Sequence, residues 1–238
     1  MKELSQKFNP GTLMSCFVIF FLPLLLFLGY WQITKGFEKK VIWETYNNNK
    51  TLPPLFEREL LEFKKEDLMY RSVSIKGSYI DKSFLLDNRI YRSKKGYEVF
   101  TPFMSINKKV YLVNRGWTNN KNTYFFSAPE EHLQIEGIVS PFTKYGLDLS
   151  TQKNHDAFPL VLQELTYSLL TSLLEENINI ENLVIQLSAA SKGSFEPIWG
   201  PTELKAARHW GYAAQWLGLA FALIFLYLYF GFKQSLKK

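Results

Sequence analysis

The chain has 238 residues, of which 47% are apolar and only 21% are charged. The formal net charge is +6, and most of it comes from five lysines in the two terminal tails, which hold a single glutamate. Because the rest of the chain is nearly neutral, we expect no nucleic acid among its partners. The one cysteine, Cys16, excludes an internal disulfide and a copper site built on a cysteine pair.

The first apolar run covers residues 13–33 and matches, at 1.5 Å per residue, the roughly 30 Å hydrocarbon core of a bilayer. It is too long for a signal peptide, so we predict a retained transmembrane helix. Pro23 predicts a kink within it, and Tyr30 and Trp31 predict an aromatic belt at its far end. Residues 35–46 predict a helical continuation beyond the membrane.

The middle of the chain changes to the period of β-strands. In residues 71–80, Val73, Ile75 and Tyr79 alternate with polar residues, as in a half-buried strand. Further strands are predicted at 84–91, 97–106, 110–116, 133–139, 160–165 and 183–187, with a hairpin turn at 107–109 and short helices at 55–63 and 167–175. We therefore expect an α+β domain, mainly antiparallel β, folded as a sheet or open barrel.

The second apolar run, residues 212–232, begins at an unusual cluster of ring side chains. On a helix that advances about 100° per residue, one face holds His209, Tyr212, Ala213, Trp216 and Ala220. An imidazole, a phenol and an indole therefore lie where water gives way to lipid. A separate stripe of small residues, Ala214, Gly218 and Ala222, permits close approach of another helix, either the first span or a partner.

Two spans predict the domain organisation. It consists of a cytoplasmic tail (1–12), a first span (13–33), an outer domain (34–211), a second span (212–232) and a second cytoplasmic tail (233–238). The tail lysines favour both termini in the cytoplasm, although basic residues also flank the outer side. The amino terminus lacks an Arg- and Ser-rich presequence, which favours a bacterial plasma membrane.

Several motifs carry a family resemblance. They are GYEVFTPF at 96–103, YLVNRGW at 111–117, GIVSP at 137–141, Gly200 with Pro201, and HxxYAxQW at 209–216. In order and spacing they resemble the Surfeit locus protein one family of cytochrome c oxidase assembly factors, from about residue 71 to the carboxyl end. The resemblance implies two membrane anchors around a periplasmic domain that helps mature the haem-bearing oxidase subunit. That subunit, the lipid bilayer and a haem a synthase are the implied partners.

The resemblance also implies a cofactor site. Some bacterial members are thought to handle haem a through a histidine at the second span, and the matching residue is His209. Its surroundings depart from the family, since Ala207, Arg208 and Trp210 stand where an asparagine pair and Leu or Gln are common. The alternative for His209 is an interfacial residue that binds lipid headgroups or the chain itself.

The other candidate site residues have structural alternatives too. Tyr212 and Trp216 suit either a porphyrin face or an ordinary interfacial belt. Arg115 can bind a haem propionate or a partner carboxylate, because a guanidinium forks onto carboxylates. An arginine at a strand end more commonly pairs within its own domain.

No hydrolase, nucleotide-binding or metalloprotease pattern occurs, and His132 and His155 have no companions at metal-ligand spacing. We therefore expect neither catalysis nor a protein-built metal site. An enzyme of haem modification is a weaker reading, because two spans with one interfacial histidine cannot build a multi-histidine bundle. The remaining alternative to an assembly factor is a membrane-anchored sensor or scaffold whose outer domain binds a peptide or small ligand without haem. We expect no signalling domain after the second span, which disfavours the sensor.

Overall fold

A computed structural model describes residues 8–60, 62–120, 126–142, 144–146, 158–174, 178, 180–201 and 205–235. The chain divides into two compact units. One consists of Met1–Glu44 with Pro201–Lys238, and the other of Thr45–Gly200.

The first unit is an antiparallel pair of long helices. Helix α1 (Thr12–Asn49) and helix α5 (Ala206–Ser235) are each long and apolar enough to cross a membrane. The predicted continuation after the first span is confirmed, because α1 runs unbroken to Asn49 with Pro23 inside it. The kink at Pro23 stays a prediction. Contacts between the helices occur along their length, pairing Ser15 with Tyr227, Gly29 with Leu217 and Gly36 with Trp210.

Residue spacing explains how the two helices pack. On α5 the inward positions His209, Ala213, Trp216 and Ala220 are separated by four, three and four residues. Spacings that alternate between four and three residues keep one seam facing a partner helix. The stripe Ala214, Gly218 and Ala222 lies outside the seam, and a Cβ on Gly218 would meet no described atom within 4 Å. The first span therefore does not occupy that stripe.

The second unit is built on one eight-stranded sheet. Its strands are β1 (Leu55–Phe56), β2 (Ser72–Tyr79), β3 (Phe84–Tyr91), β4 (Lys94–Ser105), β5 (Val110–Thr118), β6 (Leu133–Pro141), β8 (Leu160–Leu162) and β10 (Ile180–Leu187). The order is β1-β2-β6-β10-β5-β4-β3-β8. A further pairing of β2 with β4 closes five of these strands into a ring, while a separate two-stranded sheet pairs β7 (Tyr145–Gly146) with β9 (Glu164–Leu165).

Most neighbouring strands pair antiparallel, which confirms the predicted mainly antiparallel β domain flanked by two apolar helices. Three pairs are parallel, namely β1 with β2, β10 with β5 and β3 with β8. The hairpin predicted at residues 107–109 is confirmed, because β4 and β5 pair across it. The predicted strands at 71–80 and 84–91 correspond to β2 and β3.

The central strands are buried on both faces. In β5, Tyr111 and Val113 pack into one apolar cluster, whereas Val110 and Leu112 pack into another. This follows from the alternation of side chains along a strand. The second cluster is completed by helix α4 (Tyr167–Leu173), whose Leu170 is fully buried. Two layers of core therefore fix β5.

Three predicted elements differ from the structure. The helix at 55–63 is wrong at its start, because Leu55 and Phe56 pair with β2 and the helix α2 covers only Glu57–Leu60. A second short helix, α3 (Lys65–Leu68), was not predicted. The strand at 160–165 is divided at Gln163 into β8 and β9, which belong to different sheets. The helix at 167–175 begins as predicted, capped by the Thr166 hydroxyl, and ends at Leu173, with Glu175 outside the described residues.

Closure of the five-strand ring depends on a glycine. A Cβ on Gly77 would lie 2.0 Å from the Met104 carbonyl oxygen, where β2 meets β4. We expect Gly77→Ala to lower the free energy of unfolding by about 1–3 kcal/mol, because the two backbones must separate. The melting temperature of the full chain in detergent, followed by near-UV circular dichroism, measures this loss. Gly200→Ala is the matched control, since nothing lies within 4 Å of its Cβ. Equal melting temperatures for both variants would contradict the close-contact argument.

Candidate functional site

The imidazole of His209 lies in the first turn of α5, buried against α1 with only 8% of its surface exposed. Its Nδ1 atom is 2.8 Å from the side-chain oxygen Oε1 of Gln32. Its Nε2 atom is buried and has no hydrogen-bond partner among the described residues. Burying a polar atom without a partner costs about 1–3 kcal/mol, so such atoms are uncommon in folded proteins.

The neighbouring candidate residues separate into two groups. Trp216 lies on the same seam as His209 and is half-buried. Tyr212 is 48% exposed. Trp210, one of the departures from the family pattern, packs on Gly36 and makes an edge contact with the Phe37 ring. The structure thus places His209 and Trp216, seven residues apart, on one seam and leaves Tyr212 exposed.

The two ring nitrogens of His209 have different surroundings, since Nδ1 contacts Gln32 and Nε2 has no partner among the described residues. Metal-binding histidines typically donate one ring N–H to an acceptor, which leaves the other nitrogen free for the metal. Haem iron accepts a neutral imidazole in this way. No group of three His, Cys, Asp or Glu side chains occurs among the described residues, whereas a bare metal ion needs several protein ligands. A haem iron, which brings its own equatorial ligands, would need only a single imidazole nitrogen from the protein.

Arg115 lies in the other unit, at an irregularity in β5. The register between β4 and β5 shifts after Val99, which leaves Arg115 without a ladder partner and Gly116 at a φ of 111°. A bulge of this kind redirects a side chain. Arg115 is a buried residue with 2% of its surface exposed, and burial lowers the pKa of its guanidinium.

Backbone carbonyls surround the Arg115 guanidinium. Nε donates to the Gly193 carbonyl at 2.8 Å, and Nη1 donates to the Phe126 carbonyl at 2.8 Å. Nη2 donates to the Ser127 carbonyl at 3.3 Å. The Phe195 ring lies 4.9 Å from the guanidinium carbon. These contacts favour the structural alternative for Arg115, because most of its directional donors already serve the chain.

The GYEVFTPF and YLVNRGW motifs form one buried polar network. The Asn114 amide donates to Glu98 Oε1 at 2.7 Å, and its own oxygen accepts from the Gly116 amide at 3.0 Å. Arg89 Nε lies 2.7 Å from Glu98 Oε2, as an ion contact without hydrogen-bond alignment. The Trp117 indole donates to the Arg89 carbonyl at 2.8 Å. The network therefore holds the bulge that places Arg115.

The glycine of the first motif has a steric role. A Cβ on Gly96 would lie 2.3 Å from the Thr118 carbonyl oxygen and 2.8 Å from the Trp117 ring. Both motifs thus describe how β4 and β5 pack. His132 is exposed, and His155 lies outside the described residues.

Tyr79 gives a test of the environment of Arg115. Its hydroxyl is buried without a hydrogen-bond partner in the described part of the chain, and burial raises its pKa to about 12, opposed by the Arg115 charge. Unfolded tyrosine ionises near pH 10, so the folded chain favours the neutral form. The resulting stability is present below pH 10 and is lost as the pH rises from about 10 to about 12.

Tyr79→Phe is therefore expected to be nearly neutral at pH 8 and stabilising by about 1.4 kcal/mol at pH 11, relative to the unsubstituted chain. Denaturant unfolding at the two pH values measures the difference. Burial also raises the pKa of Tyr111, but Tyr111 is present in both chains and cancels in the comparison. An identical pH dependence of the two chains would contradict the assignment to Tyr79.

Comparison with known proteins gives consistent matches over most of the chain. The model of the SURF1 family matches residues 19–221. A SURF1-like protein of Rickettsia felis is 31% identical over 225 residues, which cover 89% of this chain and 93% of that protein. A SURF1-like protein of Rickettsia conorii is 32% identical over 219 residues, which cover 86% of this chain and 85% of that protein. The chain belongs to the SURF1 family.

Proposed function

We propose that the chain is a membrane-anchored assembly factor for cytochrome c oxidase, which aids maturation of the haem-bearing subunit and transiently holds haem a at His209. Membership of a family generally linked to oxidase assembly supports the first part. The single observation that supports the second part is the buried His209 Nε2 atom, which has no hydrogen-bond partner among the described residues.

Each residue has a limited part in this proposal. His209 would hold the haem iron through Nε2, and Gln32 would keep the ring in place through its Oε1 atom, 2.8 Å from Nδ1. Trp216 contributes an aromatic face on the same seam, while Tyr212 faces outward and serves the membrane interface. Haem a, if bound, would supply an iron that accepts an imidazole nitrogen. No catalytic step is assigned to the chain, since the cofactor's chemistry is its own.

In the proposed topology both apolar helices cross the bacterial plasma membrane, which puts the two tails on one side and Thr45–Gly200 on the other. The tail lysines favour the cytoplasm for the tails and therefore the periplasm for Thr45–Gly200. The partners in this arrangement are the haem-bearing oxidase subunit and a haem a synthase as the source of haem a. We expect a signal from a reporter that is fused at Asn119 and is active only outside the cytoplasm. A cytoplasmic reporter signal would remove the basis of the proposal.

Deletion of the gene is expected to lower oxidase activity and the content of assembled haem a, and the unsubstituted chain should restore both. The chain purified from haem-a-producing membranes should carry a haem a absorption spectrum. His209→Ala should abolish that spectrum, because no other imidazole lies on α1 or α5. His132→Ala, which changes an exposed histidine of the other unit, is the matched control and should keep it.

The outcomes separate the parts of the proposal. A spectrum that survives His209→Ala would place the haem elsewhere while leaving the assembly role intact. Unchanged oxidase in the deletion strain would overturn the assembly role. In that case a membrane-anchored sensor or scaffold without haem would be the better reading.

A further inference from the structure

We propose that Gln32 is the positioning residue of the His209 site, and that it fixes the proton of the imidazole on Nδ1. Gln32 Oε1 lies 2.8 Å from Nδ1, and because an amide oxygen only accepts hydrogen bonds, this contact is a hydrogen bond when Nδ1 carries the proton. The neutral ring then has its lone pair on Nε2, the atom without a hydrogen-bond partner in the described chain. The identity of the ligand rests on the proposed function, whereas the tautomer rests on the hydrogen bond alone.

The α1 sequence around Gln32 is built for this contact. Gly29, Gln32 and Gly36 are three and four residues apart, so they lie on one face of the helix. A Cβ on Gly29 would lie 2.8 Å from the Leu217 side chain, and one on Gly36 would lie 2.2 Å from the Trp210 indole nitrogen. The two glycines therefore bring α5 close to α1 on both sides of Gln32, within reach of a single amide.

The choice of an amide also has a physical reason. Gln32 is the one amide in the apolar run 13–33, and it is half-buried. A carboxylate would accept the same hydrogen bond but would place a charge in an apolar helix pair, which is costly in a membrane. A neutral acceptor orients the ring without that charge. In metal sites, loss of such a hydrogen-bonding partner typically lowers metal affinity about 10–100-fold.

The decisive measurement uses the full chain without haem, in lipid nanodiscs and with ¹⁵N-labelled histidine. The chain has three histidines. The signals that are missing from the spectrum of His209→Ala belong to His209. We expect a neutral His209 with the proton on Nδ1. Gln32→Leu should abolish this preference, while Gln215→Leu, the same substitution at an exposed amide of α5, should preserve it. A proton on Nε2, or on both nitrogens, in the unsubstituted chain would overturn the inference without any variant.

Haem a titration supplies the second measurement. Gln32→Leu should weaken the His209-dependent binding of haem a about 10–100-fold, and Gln215→Leu should leave it unchanged. Equal affinity of Gln32→Leu and the unsubstituted chain would overturn the positioning role. If Gln32→Leu does not fold, Gln32→Met, with a flexible apolar side chain of similar length, replaces it.

The two measurements also separate this inference from the proposed function. An Nδ1 proton that depends on Gln32, in a chain that binds no haem a, would support the positioning of His209 and refute the haem part of the function. Haem binding by a chain with the proton on Nε2 would support the haem part of the function and refute the positioning of His209 by Gln32.

Discussion

Replacing Arg115 by methionine is expected to lower the free energy of unfolding by about 3 kcal/mol or more. Three backbone carbonyls, those of Gly193, Phe126 and Ser127, would lose a charged donor. Each buried carbonyl without a donor costs roughly 1–3 kcal/mol. Part of this loss is offset because the substitution removes a buried charge. The cost of burying that charge is the reason that burial lowers the pKa of Arg115. The carbonyl losses are larger, so the net effect is destabilising.

Denaturant unfolding of the full chain in detergent, followed by tryptophan fluorescence, measures the change. Arg58→Met is the matched control, because Arg58 is exposed on α2, and it should stay within about 0.5 kcal/mol of the unsubstituted chain. Arg115→Lys should show most of the loss seen in Arg115→Met. A lysine ammonium lacks the planar fork of a guanidinium and cannot reach all three carbonyls. If Arg115→Met keeps normal stability but fails to restore oxidase activity, Arg115 would instead contact a propionate or a partner.

The sheet could be predicted from the sequence where its residues alternate or form short apolar runs. The strands β2 and β3 follow such patterns, and the structure contains both. The segment 55–63 has apolar residues at helical spacing, which predicts a helix, yet Leu55 and Phe56 pair in parallel with β2. That contact is distant in sequence, so tertiary pairing overrides a local preference. Closure of the ring at Gly77 depends on a close approach to Met104 that no pattern in either strand reveals.

The candidate site divides in the same way. His209 and Trp216 could be placed on one face from helical spacing alone, because the spacing is local. Gln32 lies 177 positions from His209, and its polar side chain in an apolar run is the only local signal of a role. Arg115 was predicted to be a strand-end residue. The bulge that turns it inward depends on Asn114, Gly116 and the register of β4, which are tertiary features.

Replacing Glu98 by leucine is expected to lower the free energy of unfolding by about 2–4 kcal/mol. The Asn114 amide loses its buried acceptor at a cost of roughly 1–3 kcal/mol. The ion pair with Arg89 contributes less, about 1 kcal/mol or below, because the Arg89 side chain is 35% exposed and screened by solvent. Glu98→Gln keeps an acceptor oxygen on a side chain of the same length. It should therefore cost only about 1 kcal/mol.

The comparison of the two variants by denaturant unfolding decides which contact dominates. Equal losses for Glu98→Leu and Glu98→Gln would show that the charge, and not the acceptor, stabilises the network. The network should also couple to Arg115, because Asn114 binds both Glu98 and the amide of Gly116 beside the bulge. The free energy of unfolding of the double variant Glu98→Leu with Arg115→Met should therefore fall by less than the sum of the two single losses, by a margin of at least about 0.5 kcal/mol. This threshold is set by the usual scatter of about 0.3–0.5 kcal/mol in the additivity of independent sites. Strict additivity would mean that Arg115 keeps its position without the network.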